Sequence, residues 1–250
     1  MILNLRMAWR NLWRHKRRTW LTATAMIFSN VLLVFMISLQ FGSYDMMINN
    51  TLQMFSGDFQ VQESGYNDNP KLRLSIDSIE TLAEQLRTAL PDARVTARAA
   101  AFALASSEQR TYGIQVIGVE PRFEPGVSTI PGLVKQGSWL NDLNAPDIVI
   151  GTVMARNLKV GVGDEITLLG SGLDESFAAG IFTVSGIYDS GSREMDRSFA
   201  EIPLGYFQDM FAMGDKGNSI AVAVDNTGLV ARGVVRAEQV GLRRFESVNR

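Results

Sequence analysis

An uncharged run near the N-terminus is the feature that most limits what this chain can fold into. The run extends from Trp20 to Tyr44 and holds 25 residues without a single Asp, Glu, Lys or Arg. As an α-helix it would reach roughly 37 Å, which exceeds the hydrocarbon core of a bilayer, about 30 Å. The run therefore predicts a transmembrane helix over residues 20–44, in which Asn30 would prefer a partner helix and the Thr and Ser hydroxyls would bond within their own helix.

The charges on either side of this run predict its orientation. Residues 1–19 carry six basic side chains and no acidic one, and Asp45 is the first charge after the run. The positive-inside rule therefore predicts that residues 1–19 are cytoplasmic and that residues 45–250 lie outside the cytoplasm. A cleaved signal peptide is the alternative, but the basic region and the apolar run are both longer than is usual in signal peptides.

The first nineteen residues predict a basic amphipathic helix on the cytoplasmic membrane surface. Their apolar side chains recur at helical spacing on one side, and the cations occupy the other side. Tryptophan is well suited to the headgroup zone, and Lys and Arg suit anionic lipid. The residues that we assign to this surface are Trp9, Arg10, Trp13, Arg14, Arg17 and Arg18.

The composition excludes several kinds of catalytic and metal site. The chain has no cysteine, and its one histidine, His15, lies in the basic N-terminal segment. Disulfides, thiolate sites, Ser-His-Asp triads and HExxH zinc sites are therefore excluded from the outer part. The carboxylate pairs Asp174/Glu175 and Glu194/Asp196 resemble a hydrolase pair only formally, because exposed loop acids are far commoner. We expect no enzyme, no cofactor in this chain and no catalytic, cofactor-binding or metal residue.

Residues 45–225 alternate between short strand and helix patterns. This mixture predicts an α+β fold: one N-terminal transmembrane helix followed by an extracytoplasmic domain with mixed sheets. Residues 45–55 keep helical character, either as a stalk that continues the membrane helix or as a packing helix. Strands are predicted at 58–62, 94–104, 111–120, 148–150, 165–169, 177–188, 198–202 and 219–224, and helices at 77–90, 152–158 and from Pro203.

Three local features complete this description. Asp77 is the predicted N-cap of the first outer helix, with Glu80 at the third helical position. The charged segment 191–197 is interpreted as a solvated turn, with contact to a partner as the alternative. Residues 226–250 form an arginine-rich tail that differs in composition from the domain before it.

Three motifs in a fixed order resemble the MacB/FtsX-type permeases of ABC transporters. The first is the basic stretch Arg10–Thr19 before the membrane helix. The second is Ile148–Gly151, followed by a short helix and the segment 158–168. The third is the stretch 182–191, followed by Asp196 and Ala200–Leu204, and it is most similar to the lipoprotein-releasing branch of the family.

This resemblance implies a fold, a function and partners. It implies a MacB-type periplasmic core domain that receives motion from ATP bound by a separate cytoplasmic ATPase subunit. It also implies a second permease subunit, lipoprotein or lipid as cargo, a possible periplasmic carrier, and the bacterial inner membrane as the location. The surface helix before the membrane span would lie near the ATPase, and no nucleic acid is implied.

One departure from the family leaves alternatives open. Members of the family have three further membrane helices after the outer domain, whereas the longest uncharged candidate after Asp45 is Ser176–Tyr188, with 13 residues. A span needs about 20 residues. We therefore expect a truncated permease, with a single-pass membrane-anchored scaffold or sensor as the alternative and a membrane-tethered enzyme as a third hypothesis.

Overall fold

The computed structural model of the chain describes residues 16–55, 57, 59–108, 110–224 and 245–249. Side chains are described for all of these except residues 40–55 and 245–249. The chain divides into two compact units, Met1–Thr51 and Leu52–Arg250.

The first described element is one long helix, α1 (Lys16–Phe55). Its segment Lys16–Leu39 has a mean hydropathy of 2.0, and it is the one helix among the described residues that is long and apolar enough to cross a membrane. The helix continues through Phe55, as the helical pattern of residues 45–55 predicts. Thr22 donates to the carbonyl of Arg18 at 3.1 Å, as expected for a hydroxyl within its own helix.

Asn30 forms a hydrogen bond within this helix. Its Nδ2 donates to the carbonyl of Met26 at 3.0 Å, so the side chain satisfies a donor within its own helix. The expected preference of Asn30 for a partner helix stays a prediction. A side-chain amide one turn after a backbone carbonyl reaches it easily, which lowers the cost of a polar group on an apolar helix.

The second unit is built around a mixed sheet of ten described strands. The strands are β1 (Phe59–Glu63), β2 (Ala93–Ser106), β3 (Thr111–Val119), β4 (Val134–Gly137), β5 (Asp147–Gly151), β6 (Glu165–Ser171), β7 (Phe177–Tyr188), β8 (Phe199–Pro203), β9 (Ser219–Val224) and β10 (Phe245–Asn249). Their order is β10-β1-β9-β2-β3-β8-β5-β7-β4, and β6 pairs with both β2 and β7. The strand β10 pairs with β1, and it lies within residues 226–250, which the sequence predicts to be a tail.

Six of these strands form a closed ring. β2 pairs with β3, β3 with β8, β8 with β5, β5 with β7, β7 with β6, and β6 returns to β2. The contacts β3–β8 and β5–β7 are parallel and the others are antiparallel. Closure leaves no free edge between these strands, and alternate side chains point into one enclosed core.

The ring is filled by small side chains from one strand and large ones from the others. The inward residues of β2 are alanines, from Ala97 to Ala105, and Ile150 and Phe182 face them from β5 and β7. Phe207 of helix α5 (Leu204–Met210) packs at Gly118, where a Cβ would lie 2.7 Å from the Phe207 side chain. A glycine is needed here because the aromatic ring uses the space of a side chain.

Helix α2 (Ile79–Ala89) packs against β2. It buries Ile79, Ala83 and Leu86. The predicted N-cap at Asp77 was wrong: Ser78 occupies that position in a left-handed conformation with φ 51°. Asp77 instead pairs with Lys216 at 2.6 Å, because the chain turns one residue later than the motif suggests.

Two short helices pack against each other beside β5. Helix α3 (Thr152–Leu158) has the predicted bounds, and helix α4 (Arg193–Ser198) replaces the solvated turn expected at 191–197. The interpretation as a turn was wrong because Met195 and Asp196 are buried, although charged residues surround them. A Cβ at Gly151 would collide with the backbone of Asp196, so the glycine of the second family motif permits this close approach.

A long connection covers part of the outer face of the ring. This connection, residues 120–146, joins β3 to β5 and contains two 3-10 helices, Glu124–Gly126 and Ile130–Leu133, together with β4. We call it the covering segment. Its Ile130 and Leu140 pack on Ile117, Val149 and Tyr188 to form a second, smaller core outside the ring.

Candidate functional site

The membrane-surface residues predicted from sequence lie only partly within the described structure. Arg17 and Arg18 belong to the first turn of α1 and are exposed. Trp9, Arg10, Trp13 and Arg14 lie outside the described residues. The assignment of these six residues to the membrane surface, or to contact with an ATPase, stays a prediction.

The most distinctive exposed feature of the second unit is an apolar surface on the outer face of the ring. It consists of Phe102 and Leu104 on β2, Leu169 on β6, and Phe177 and Ile181 on β7. Phe102 is 71% exposed and Phe177 is 77% exposed, values that are rare for large aromatic side chains in a soluble domain. We call these five residues the apolar surface.

The register of the strands explains why these side chains are neighbours. Leu104 is paired with Leu169, and Leu169 is paired in turn with Ala179 on β7. Residues two apart on a strand point to the same face, so Phe102 lies beside Leu104, and Phe177 and Ile181 flank Ala179. The pairing therefore brings residues from three separate parts of the sequence to one outer face.

A shallow groove runs between these side chains. It has a volume of about 620 Å³, and its lining includes Phe102, Leu104, Leu169 and Phe177 but no charged residue. Gln115, opposite Phe102 on β3, provides its polar side. Contiguous exposed apolar surface of this kind marks a site that binds a protein, a lipid or another apolar ligand.

Sequence reasoning did not identify this surface, although a signal for it is present. In β2 the residues alternate in size, with alanines inward and Phe102 and Leu104 outward. An apolar residue on each face hides the usual alternation of apolar with polar residues, so the pattern predicts a strand without showing which face is exposed. Which part of the outer face is exposed depends on the covering segment. This segment shields the outer face at β8 and leaves it open at β6.

The two carboxylate pairs considered in the sequence do not form catalytic dyads. In the turn before β7, the carboxylate of Asp174 accepts from the Ser176 backbone N–H at 3.0 Å. Hydrogen bonds from the Ser176 side chain and backbone lower the Asp174 pKa. Glu175, beside it, forms an exposed ion pair with Arg73. These contacts are those of an ordinary polar turn.

The second pair is divided between surface and interior. Glu194 is exposed and pairs with Arg197 at 2.8 Å. Asp196 is buried, and its carboxylate accepts from the Ser190 hydroxyl at 2.6 Å and from the Thr152 hydroxyl at 3.0 Å. Asp196 therefore joins α3, α4 and the end of β7, and it stabilises the fold at the third motif noted in the sequence. Among the described residues, no group of three or more His, Cys, Asp or Glu side chains is placed to hold a metal ion.

Buried charges fix the covering segment to β2. Arg98 donates to Glu124 at 2.5 Å and 3.1 Å, and the Thr96 hydroxyl donates to the same carboxylate at 3.1 Å. The side chains of Arg98 and Glu124 are 5% and 0% exposed. One turn earlier, Glu120 pairs with Arg87 and accepts from the Ala97 backbone N–H at 2.7 Å. Burial nevertheless raises the pKa of Glu120, because desolvation outweighs these contacts.

Comparison with known families shows to which family this chain belongs. The model of the MacB-like periplasmic core domain matches residues 19–239, which is most of the chain. The chain belongs to the MacB-like periplasmic core domain family. This confirms the resemblance to MacB/FtsX-type permeases that the three motifs indicate.

Solved structures show the same fold for the MacB-like domain. The periplasmic region of MacB from Actinobacillus actinomycetemcomitans aligns with a TM-score of 0.57 at 14% identity, over 81% of this chain and 91% of that one. The extracellular domain of the noncanonic ABC-type transporter YknZ from Gram-positive bacteria aligns with a TM-score of 0.55 at 15% identity. That alignment covers 78% of this chain and all of the YknZ domain. The predicted α+β class, an apolar N-terminal helix with a mixed domain, is confirmed.

A curated relative belongs to the lipoprotein-releasing branch. The lipoprotein-releasing system transmembrane protein LolE of Haemophilus influenzae is 32% identical over 117 residues, which is 42% of this chain. The aligned region is 26% of that protein, so the chain matches about a quarter of its relative's length. Together with helix α1, these similarities support a membrane protein with an extracytoplasmic MacB-like domain.

Proposed function

We propose that this chain serves in the permease of an ATP-driven ABC transporter, where its outer domain acts on lipoprotein or lipid cargo. The family relationship supports a permease, and the similarity to LolE favours lipoprotein release among the activities of the family. In this proposal residues 1–19 lie in the cytoplasm, and ATP is bound by a partner subunit. A second permease subunit and a soluble carrier are further proposed partners.

The observation that carries the cargo assignment is the apolar surface. Phe102, Leu104 and Phe177 stand exposed around a groove whose lining holds no charge. Exposing such residues to water costs free energy, which a ligand with an apolar part recovers on binding. An acyl chain attached to a lipoprotein has this chemistry, and the open shape of the groove lets the protein part of the cargo remain in solvent.

Binding to an ATPase is the first test. The full chain, tagged and extracted in detergent from membranes of its own bacterium, is expected to co-purify with an ABC ATPase identified by mass spectrometry. Replacing both Trp13 and Arg14 by Ala should reduce the recovered ATPase about tenfold or more, because central aromatic and Arg contacts dominate interfaces. Arg156→Ala, on the exposed side of α3, is the matched control and should leave recovery unchanged. Recovery of no ATPase with the parent chain would favour the single-pass scaffold or sensor instead.

Cargo binding is tested at the apolar surface. Phe102→Ser and Phe177→Ser should each weaken photocrosslinking of the full chain to a diacylated peptide with a photoreactive acyl chain, by about tenfold. Both residues are exposed, so the unfolding free energy should change by no more than about 0.5 kcal/mol. Val162→Ser removes an exposed apolar side chain elsewhere on the domain and should not change crosslinking. Equal crosslinking in all three variants would contradict a role of the apolar surface in cargo binding.

A further inference from the structure

Glu201 occupies an unusual position for a carboxylic acid. It lies in the middle of β8, where it is paired with Ile117 on one side and with Val149 on the other. Its exposed fraction is 0%, and both register neighbours belong to the small core beneath the covering segment. The side chain is thus held between the outer face of the ring and the covering segment, among apolar residues.

Neither carboxyl oxygen of Glu201 has a hydrogen-bond partner among the described residues. A buried carboxylate without a partner is very unfavourable, whereas a neutral carboxyl group at the same position costs much less. Desolvation and the negative charge of Glu124 raise the pKa of Glu201 well above its ordinary value, and the charge of Arg98 lowers it less. The geometry and the electrostatics both favour the protonated form.

The charged groups around Glu201 do not compensate a second negative charge. Arg98, on β2, is already bonded to Glu124. From the other side, Asp196 of α4 adds negative charge near Tyr188, whose hydroxyl donates to the carbonyl of Phe199 at 3.0 Å. The remaining charged residues of the covering segment are Glu120, which is bound to Arg87, and the exposed Arg122, Lys135 and Asp142.

We propose that Glu201 is a proton-dependent latch, which holds the covering segment on the ring while it is neutral and releases that segment when it ionises. Release would expose Glu201 to water and separate Ile130 and Leu140 from Val149. The inference does not depend on the proposed transport function, because it concerns only the packing of one domain.

The direction of the pH effect follows from linkage. Once the segment opens, the Glu201 carboxyl is solvated and its pKa returns to the ordinary value, about 4.3. Between that value and the raised pKa of the closed state, the closed form holds one proton more than the open form. Closure is therefore strongest at low pH, and the opening equilibrium grows by about tenfold for each pH unit within this interval.

Hydrogen exchange of the full chain in detergent tests the latch. Peptides that cover residues 121–146 are expected to exchange at least about tenfold faster at pH ~8 than at pH ~6, after correction for the intrinsic pH dependence of amide exchange. Glu201→Gln preserves the shape without an ionisable group, and it should abolish this extra acceleration. Glu194→Gln, at an exposed position on α4, is the control and should keep it.

Two results would overturn the latch. One is equal corrected exchange of residues 121–146 at both pH values in the parent chain, which needs no variant to be folded. The other is an acceleration that persists in Glu201→Gln, since another group would then be responsible.

Discussion

Replacing Arg98 by Met is expected to lower the unfolding free energy of the outer domain by about 3–5 kcal/mol. The substitution removes the cation from Glu124, which is fully buried and, among the described residues, then keeps the Thr96 hydroxyl as a side-chain partner. An uncompensated buried carboxylate either remains charged in a poor environment or takes up a proton, and both outcomes destabilise the folded state at neutral pH. Urea unfolding of the full chain in detergent, followed by circular dichroism, measures the loss.

Two matched variants show whether the loss comes from the isolated charge. The double variant Arg98→Met/Glu124→Leu removes both charges, and it should recover most of the stability because apolar residues pack well at such sites. Arg197→Met breaks an exposed ion pair with Glu194 and should cost no more than about 1 kcal/mol. A loss below about 1 kcal/mol for Arg98→Met alone would mean that water or rearrangement solvates Glu124.

Phe207→Ala should destabilise the outer domain by a similar amount, about 3–5 kcal/mol. Phe207 is 0% exposed, and its ring lies 4.4 Å from that of Phe211 between centroids. It also fills the space that Gly118 leaves inside the ring of strands, and the strands cannot collapse into the cavity because their pairing is closed. The same urea unfolding experiment measures this effect.

Phe177→Ala is the control for the loss of an aromatic side chain. Phe177 is 77% exposed on the apolar surface, so its removal should change the unfolding free energy by about 0.5 kcal/mol or less. Similar losses for Phe207→Ala and Phe177→Ala would show that the core at α5 is not closely packed. The pair therefore separates a packing role inside the ring from a binding role outside it.

Much of the fold could be predicted from local patterns. The bounds predicted for residues 152–158, 177–188 and 219–224 are those of α3, β7 and β9, because each segment combines a clear periodicity with turn residues at its ends. The apolar run that begins at Trp20 likewise lies within α1, since length and lack of charge are sufficient to define such a helix.

Features that depend on distant contacts could not be predicted. Helix α4 reads as a charged turn, because the burial of Asp196 results from hydroxyl groups 44 and 6 residues away. No local pattern marks Glu124 and Glu201 as buried acids, because their burial depends on the packing of the covering segment against the ring. The apolar surface requires the pairing of β6 with both β2 and β7, which no local pattern specifies. The candidate site is therefore assembled by the pairing of distant strands and is not marked by a local sequence motif.

Strand β2 has a mechanical consequence for the apolar surface. It is one uninterrupted strand of 14 residues, bonded to β9 along its first half and to β6 along its second half. A force along an antiparallel strand acts on all of its inter-strand hydrogen bonds at the same time. The two paired strands therefore resist sliding past each other and move together. Displacing β1 along its axis would pass through β9 to β2, and Phe102 and Leu104 would advance by nearly the same distance. The backbone ladder thus connects β1 and β9 directly to the strand that bears Phe102 and Leu104.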